Sequence, residues 1–166
     1  MSTVNLSKSE IASAGPVCLN KQNVKLVIKE EPVYKLSSKN NPMLVFKTEI
    51  TDPAVQFRKG EEQKIAGIEL PIWATFFINQ DTGREENPQL AKIHDQAGLP
   101  MEFARDESTG LPVNSDGVPI NYMGTVLDAM VVSEEYTIVD DDKKPILNPR
   151  TGQEQKGYNH RVIKLY

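Results

Sequence analysis

"NVKLVIKEEPVYKLSSKNNPMLVFKTEI", residues 23–50, is the stretch that decides the fold class of this chain. Val24, Leu26 and Ile28 alternate with Lys25, Val27 and Lys29. That period of two sends one apolar row inward and a partly cationic row outward, as in a half-buried strand. Pro32 lacks the N–H that a ladder needs, so it interrupts or bulges the strand. Asn40, Asn41 and Pro42 supply turn chemistry, because Asn tolerates positive φ and Pro fixes the exit. Past the turn, Leu44, Phe46 and Ile50 share one face, with Met43, Val45, Lys47 and Glu49 on the other. Two strands joined by "SSKNNP" make a hairpin.

The surrounding sequence extends the β pattern. "KIAGIELPIWATFFIN" (64–79) is the most apolar part of the chain, and its β-branched and aromatic content suits strands. Leu70, Ile72, Ala74, Phe76 and Ile78 fall on one face, Trp73, Thr75 and Phe77 on the other. Both faces are apolar, so the strand is either covered twice or displays aromatics for binding. The polar stretch "TDPAVQFRKGEEQ" reads as a loop. Residues 88–97 carry the one firm helix signal: Asn87 can cap, Pro88 suits the first helical position, Leu90, Ile93 and Ala97 have helical spacing, and Gly98 stops it. "ESTG" and "NSDG" close turns in a long excursion or small ribbon. "YMGTVLDAMVVSEEYTIV" returns to strand, residues 140–157 form an extended polar hairpin tip, and "YNHRVIKLY" closes the chain with Arg161, Ile163 and Leu165 alternating against His160, Val162, Lys164 and Tyr166. No internal repeat stands out.

Short strands with one interposed helix favour a small closed or partly open β-barrel of the oligonucleotide-binding (OB) type over a parallel α/β sheet, which needs alternating helices. A β-sandwich is the alternative. At 166 residues the length is that of one domain. The Ser- and Ala-rich residues 1–20 read as a flexible arm, leaving 21–166 as the barrel domain. No run approaches the roughly 18 apolar residues of a membrane span. The N-terminus lacks a signal-peptide pattern, so a cytoplasmic setting is expected.

Net charge is -4, which argues against simple nucleic-acid binding, because phosphate contacts need Lys and Arg. Its distribution is uneven: residues 1–59 hold nine Lys/Arg against five Asp/Glu, and residues 60–166 hold ten against eighteen. A polyanion should therefore meet the first third of the chain, although a solvated face is the commoner meaning of such asymmetry.

Signatures of catalysis are missing. There is no phosphate-binding Gly loop or nucleophile elbow, and no clustered metal ligands, so neither an enzyme nor a cofactor nor a metal site is expected. His94 lies beside the apolar stripe of the helix and reads as a boundary packing residue, while His160 next to Arg161 is a candidate phosphate or base contact. "DDDKKPILNPRT" lacks the Gly and late Glu of a calcium loop and reads as a solvated tip. The lone Cys18 reads as a packing residue.

A barrel that holds single-stranded nucleic acid needs cations along the phosphates and exposed aromatics under the bases. Lys25, Lys29, Lys35, Lys39 and Lys47 are the candidate cations. Tyr34, Trp73, Phe77 and Tyr122 are the candidate stacking surfaces, with Trp73 and Phe77 about 13 Å apart at strand rise.

The order of segments, "NVKLVIKEEPVYKLSSKNNPMLVFKTEI", then "LPIWATFFIN", the helix "NPQLAKIHDQAGLP" and the closing "GYNHRVIKLY", resembles phage-encoded single-stranded-DNA-binding proteins over residues 23–166. The resemblance implies an OB-type barrel that coats single-stranded DNA during phage replication or recombination, without catalysis, in the cytoplasm of an infected bacterial host. It sets Lys39, Asn41, Pro42 and Met43 at the hairpin turn, and Gly157, Asn159 and Arg161 on the last strand. Homo-oligomers and replication or recombination proteins are the further partners it implies. The chain ends in "RVIKLY" rather than an acidic tail, so partners would have to meet the 140–157 tip or the arm instead. The rival function is a protein-interaction or virion-assembly module on the same β architecture.

Overall fold

The computed structural model describes residues 17–166. Its main sheet is antiparallel and built on β3 (Pro42–Asp52), the longest strand of the opening hairpin. One edge of β3 is shared by two segments, β1 (Gln22–Ile28) against residues 48–52 and β2 (Val33–Leu36) against residues 42–45. β1 and β2 are thus one strand broken at residues 29–32, where Pro32 withholds a donor. The other edge of β3 pairs with β6 (Glu69–Thr75). The far edge of β1 pairs with β11 (Val126–Thr137), and β11 with β12 (Lys156–Leu165).

The sheet then curls so that β12 lies alongside β6, with no ladder between them among the described residues. The order around the wall is β6, β3, β1 with β2, β11, β12, and back to β6. The helix α1 (Pro88–Ala97) is inserted between β6 and β11. This is an OB-like barrel, left partly open at the β6–β12 seam. A sandwich would need two stacked sheets. Here the inward residues of all five wall segments, among them Leu26, Phe46, Ile72, Leu127 and Val131, meet in one core cluster.

The helix forms where expected. Asn87 Oδ1 accepts from Leu90 N at 3.0 Å, Pro88 opens the first turn, and Gly98 caps the end at φ 69. Leu90 and Ile93 fill the barrel mouth.

Several expectations need correction. The presumed loop at 51–63 folds instead into a hairpin, β4 (Val55–Arg58) and β5 (Glu61–Lys64), turned at Lys59 and Gly60, both at positive φ. Its Gln56 is buried: Oε1 accepts from Asn20 N and Gln22 Nε2, and Nε2 donates to the Cys18 carbonyl. Residues 17–20 are therefore fastened to the barrel rather than part of an arm, and Leu19 is a core residue. The remainder of the expected arm, 1–16, lies outside the described residues. In β12 the alternation fails: Val162 pairs with Val131 and Lys164 with Met130, so Ile163 is a bulged extra residue and does not share a face with Leu165.

The chain also contains a short repeat. "NQDTG" (79–83), "DESTG" (106–110) and "NPRTG" (148–152) close three hairpin ends alike. In each, the first side chain accepts from the backbone N–H two residues on, at 2.9, 2.8 and 2.9 Å. The same residue's carbonyl accepts from the glycine N–H at 2.8 Å. The first turn joins β7 (Phe77–Ile78) to β8 (Glu85–Glu86), and the second joins β9 (Ala104–Arg105) to β10 (Pro112–Val113). The third lies in the tip between β11 and β12, where bridges at Val139–Pro145 and Leu147–Glu154 give the polar segment internal structure.

Candidate nucleic-acid interface

The β register builds a continuous outer face on β2, β3 and β6. Val33, Val45 and Trp73 stand in one cross-strand row, with Lys35, Met43 and Thr75 in the next. Alternation turns Leu44, Phe46 and Ile72 into the core, so their neighbours must face out. Trp73, the chain's sole tryptophan, is 55% exposed. β6 ends at Thr75 and the chain restarts as β7, so Trp73 and Phe77 are not on one unbroken strand. Both still line a groove of about 580 Å3 over the barrel seam, walled by Gln89 and Lys92 of α1 and by Ile163 and Lys164 of β12. Phe77 is 42% exposed.

The cations divide sharply. Lys25 is bonded to Asp128 at 2.9 Å and Lys29 to Glu49 at 2.6 Å, and in each case that hydrogen bond raises the ammonium pKa. Lys47 lies 3.7 Å from Glu30 and 3.9 Å from Glu69. Arg161, which does not line the groove, pairs with Glu134 on the outer face of β11–β12. Lys35, Lys39, Lys92 and Lys164 have no carboxylate within ion-pair distance among the described residues. The Lys164 ammonium sits 4.8 Å from the centre of the Tyr166 ring. Lys39 crowns the β2–β3 turn, and that turn is held beside the exit of β6 because Phe76 N donates to the Pro42 carbonyl at 2.8 Å.

Two candidate aromatics are withdrawn from this face. Tyr122 is 1% exposed; its hydroxyl donates to His94 Nε2 at 2.6 Å and its ring meets the Phe46 ring edge-on at 5.2 Å. It offers no surface to a base, and burial, then the Glu31 carboxylate, pushes its hydroxyl pKa up. Tyr34 pairs with the inward Leu44 and lies across Gly110, where an added Cβ would come within 2.4 Å of the ring.

His94 is buried rather than at a boundary. Its Nδ1 must carry the proton, since it faces the Pro100 carbonyl at 2.6 Å, leaving Nε2 to accept from Tyr122. Burial holds its pKa below the ordinary histidine value, partly offset by the Pro100 bond. His160 is half-buried against Ser133 Oγ at 2.7 Å, and burial lowers its pKa too. No group of three or more potential metal ligands occurs among the described residues, and none of their helices is long and apolar enough to cross a membrane.

Lys92, Ile163 and Lys164 belong to the groove but had no signal in the sequence. They reach Trp73 only because the sheet curls and α1 crosses its open seam.

The sequence matches no known family model and no characterised protein. Among solved structures the chain is similar to a small single-stranded DNA-binding protein from Streptomyces coelicolor, at 15% identity over 89% of this chain and 94% of that one, with a TM-score of 0.29. A likeness of that size decides neither fold nor ligand, and the strand order stands on its own pairings.

Proposed function

We propose that this chain binds single-stranded DNA, without base sequence preference along most of the strand and without catalysis. The observation that supports it is the exposed Trp73 beside Phe77 in a groove flanked by lysines that lack carboxylate partners. Bases stack on Trp73 and Phe77, and phosphates follow Lys35, Lys39, Lys92 and Lys164. The ion-paired Lys25 and Lys29 are secondary, because a phosphate must first displace a carboxylate from each. A role in phage replication or recombination, in the cytoplasm of an infected bacterium, rests on the sequence resemblance alone.

Tryptophan fluorescence tests this directly, since Trp73 is the sole reporter. Oligo-dT should quench it saturably, and binding should weaken with salt along a slope of about -3 for four phosphate contacts. Trp73→Ala should lower affinity roughly tenfold, measured by anisotropy of a labelled strand, as one stacked base is worth about 1–3 kcal/mol. Absence of quenching and of any gel shift at low salt would end this reading.

The exposed Val139, Ile146 and Leu147 on the tip favour a second reading, a protein-interaction module. Salt-insensitive self-association without DNA binding selects it.

A further inference from the structure

Beyond the first turn of α1 lies a cavity of about 800 Å3, which shares Pro88 with the aromatic groove. That volume is within the range of small-ligand sites. One wall is a rigid plane: the Arg105 guanidinium lies 4.3 Å over the centre of the Phe76 ring, fixed by Nε and Nη2 hydrogen bonds to Glu85 at 3.0 and 2.8 Å. Such held guanidinium planes are surfaces on which bases stack. Phe103 and the exposed Met101 form further apolar lining.

The polar lining is unusual in one respect. Asn87 is 8% exposed; its Oδ1 caps α1, while its Nδ2 has no hydrogen-bond partner. A buried amide donor left unpaired is costly, so an acceptor supplied by a ligand would be favoured there. Glu86 and Glu102 add acceptors to the same cavity, and Arg84 lines it with no carboxylate within ion-pair distance among the described residues. A stacking plane, an amide donor and carboxylate acceptors complement one chemical class.

We propose that this cavity binds a nucleobase carrying an exocyclic amine (adenine, cytosine or guanine, with AMP and CMP as the probes), stacked on Arg105, with the amine donating to a carboxylate and a base acceptor taking the Asn87 amide. Thymine has no such amine. Arg84 is placed to meet the phosphate of the same nucleotide. The base comes from a strand lying in the neighbouring groove, which rests on the reading above, or from a free nucleotide.

AMP, CMP and TMP titrations followed by NMR test it. AMP and CMP should shift the Asn87 side-chain amide, Ala91 and Phe103 saturably, with TMP roughly tenfold weaker for want of the amine. Three variants should each weaken AMP several-fold. Arg105→Lys keeps the charge but loses the plane, Asn87→Ser keeps the cap but loses the amide, and Met101→Glu alters only the exposed rim. All three should leave oligo-dT quenching of Trp73 intact. An oligomer containing 2-aminopurine separates the sources: fluorescence quenched by the native chain but not by Arg105→Lys means the base comes from the strand, and equal quenching means a free nucleotide. Shifts that do not saturate, or that persist in all three variants, overturn the cavity site while leaving the groove standing. AMP binding without any response to oligo-dT would keep the cavity and remove the groove.

Discussion

The Tyr122 hydroxyl donates to His94 Nε2 at 2.6 Å, tying the segment that leads into β11 to the helix that closes the barrel mouth. Both groups are buried, so the bond exists without competition from water. Tyr122→Phe leaves His94 Nε2 without a donor and should cost about 1–3 kcal/mol, read as a lower urea midpoint. Trp73 quenching by oligo-dT should be unchanged, since Tyr122 is not on the groove.

The same pair sets an acid limit. His94 has a folded pKa below its unfolded value of about 6.5. Below that pH the unfolded chain takes a proton that the folded chain resists, because a charged His94 would lose its hydration in a buried site. Stability should therefore be level above about pH 6.5 and decline as pH falls toward the folded pKa, with His160 adding a loss of the same sign. Thermal melts across that range check this, and His94→Gln should flatten the decline.

The repeated turn gives a paired test of the Tyr34 packing. Gly110 and Gly152 hold the same position at φ 72 and 70. An added Cβ at Gly152 meets nothing within 4 Å, whereas at Gly110 it meets the Tyr34 ring at 2.4 Å. Gly152→Ala should cost about 1–2 kcal/mol for backbone strain alone. Gly110→Ala should cost clearly more, and the difference measures the tyrosine contact.

Salt dependence should separate the lysines. Removing a phosphate contact reduces the salt slope by about one unit or slightly less. Lys92→Ala and Lys164→Ala should each do so, while Lys25→Ala and Lys29→Ala should change it little, because Asp128 and Glu49 already neutralise those ammonium groups.

Gln56 bridges the start of β1 and the chain before it to the β4–β5 hairpin through Cys18, Asn20, Gln22 and Gln63. Gln56→Ala strands several buried or half-buried groups at once. A loss of about 1–3 kcal/mol in denaturant unfolding is expected, with faster amide exchange at Leu19 and Asn20.

By itself the sequence determined the local structure. Alternation fixed which residues of β1 and β3 face the core, since a strand's period of two leaves no other choice once one face is apolar; β6, apolar on both faces, was left open. Asn87, Pro88 and Gly98 set the bounds of α1 through capping chemistry that acts within a few residues. It also set Trp73 on the face opposite Leu70, Ile72 and Ala74, without deciding whether that face is covered. It did not disclose the β4–β5 hairpin, whose strands are short and polar, or the bulge at Ile163, which depends on the partner strand. Only the tertiary structure decided which charges are free and which aromatics are exposed. Lys25 and Asp128 lie 103 residues apart in the chain, and Trp73, Lys92 and Lys164 meet across a seam formed by curling the sheet. Pairing and burial are set by three-dimensional distance, and composition counts a lysine the same way whether or not a carboxylate stands beside it.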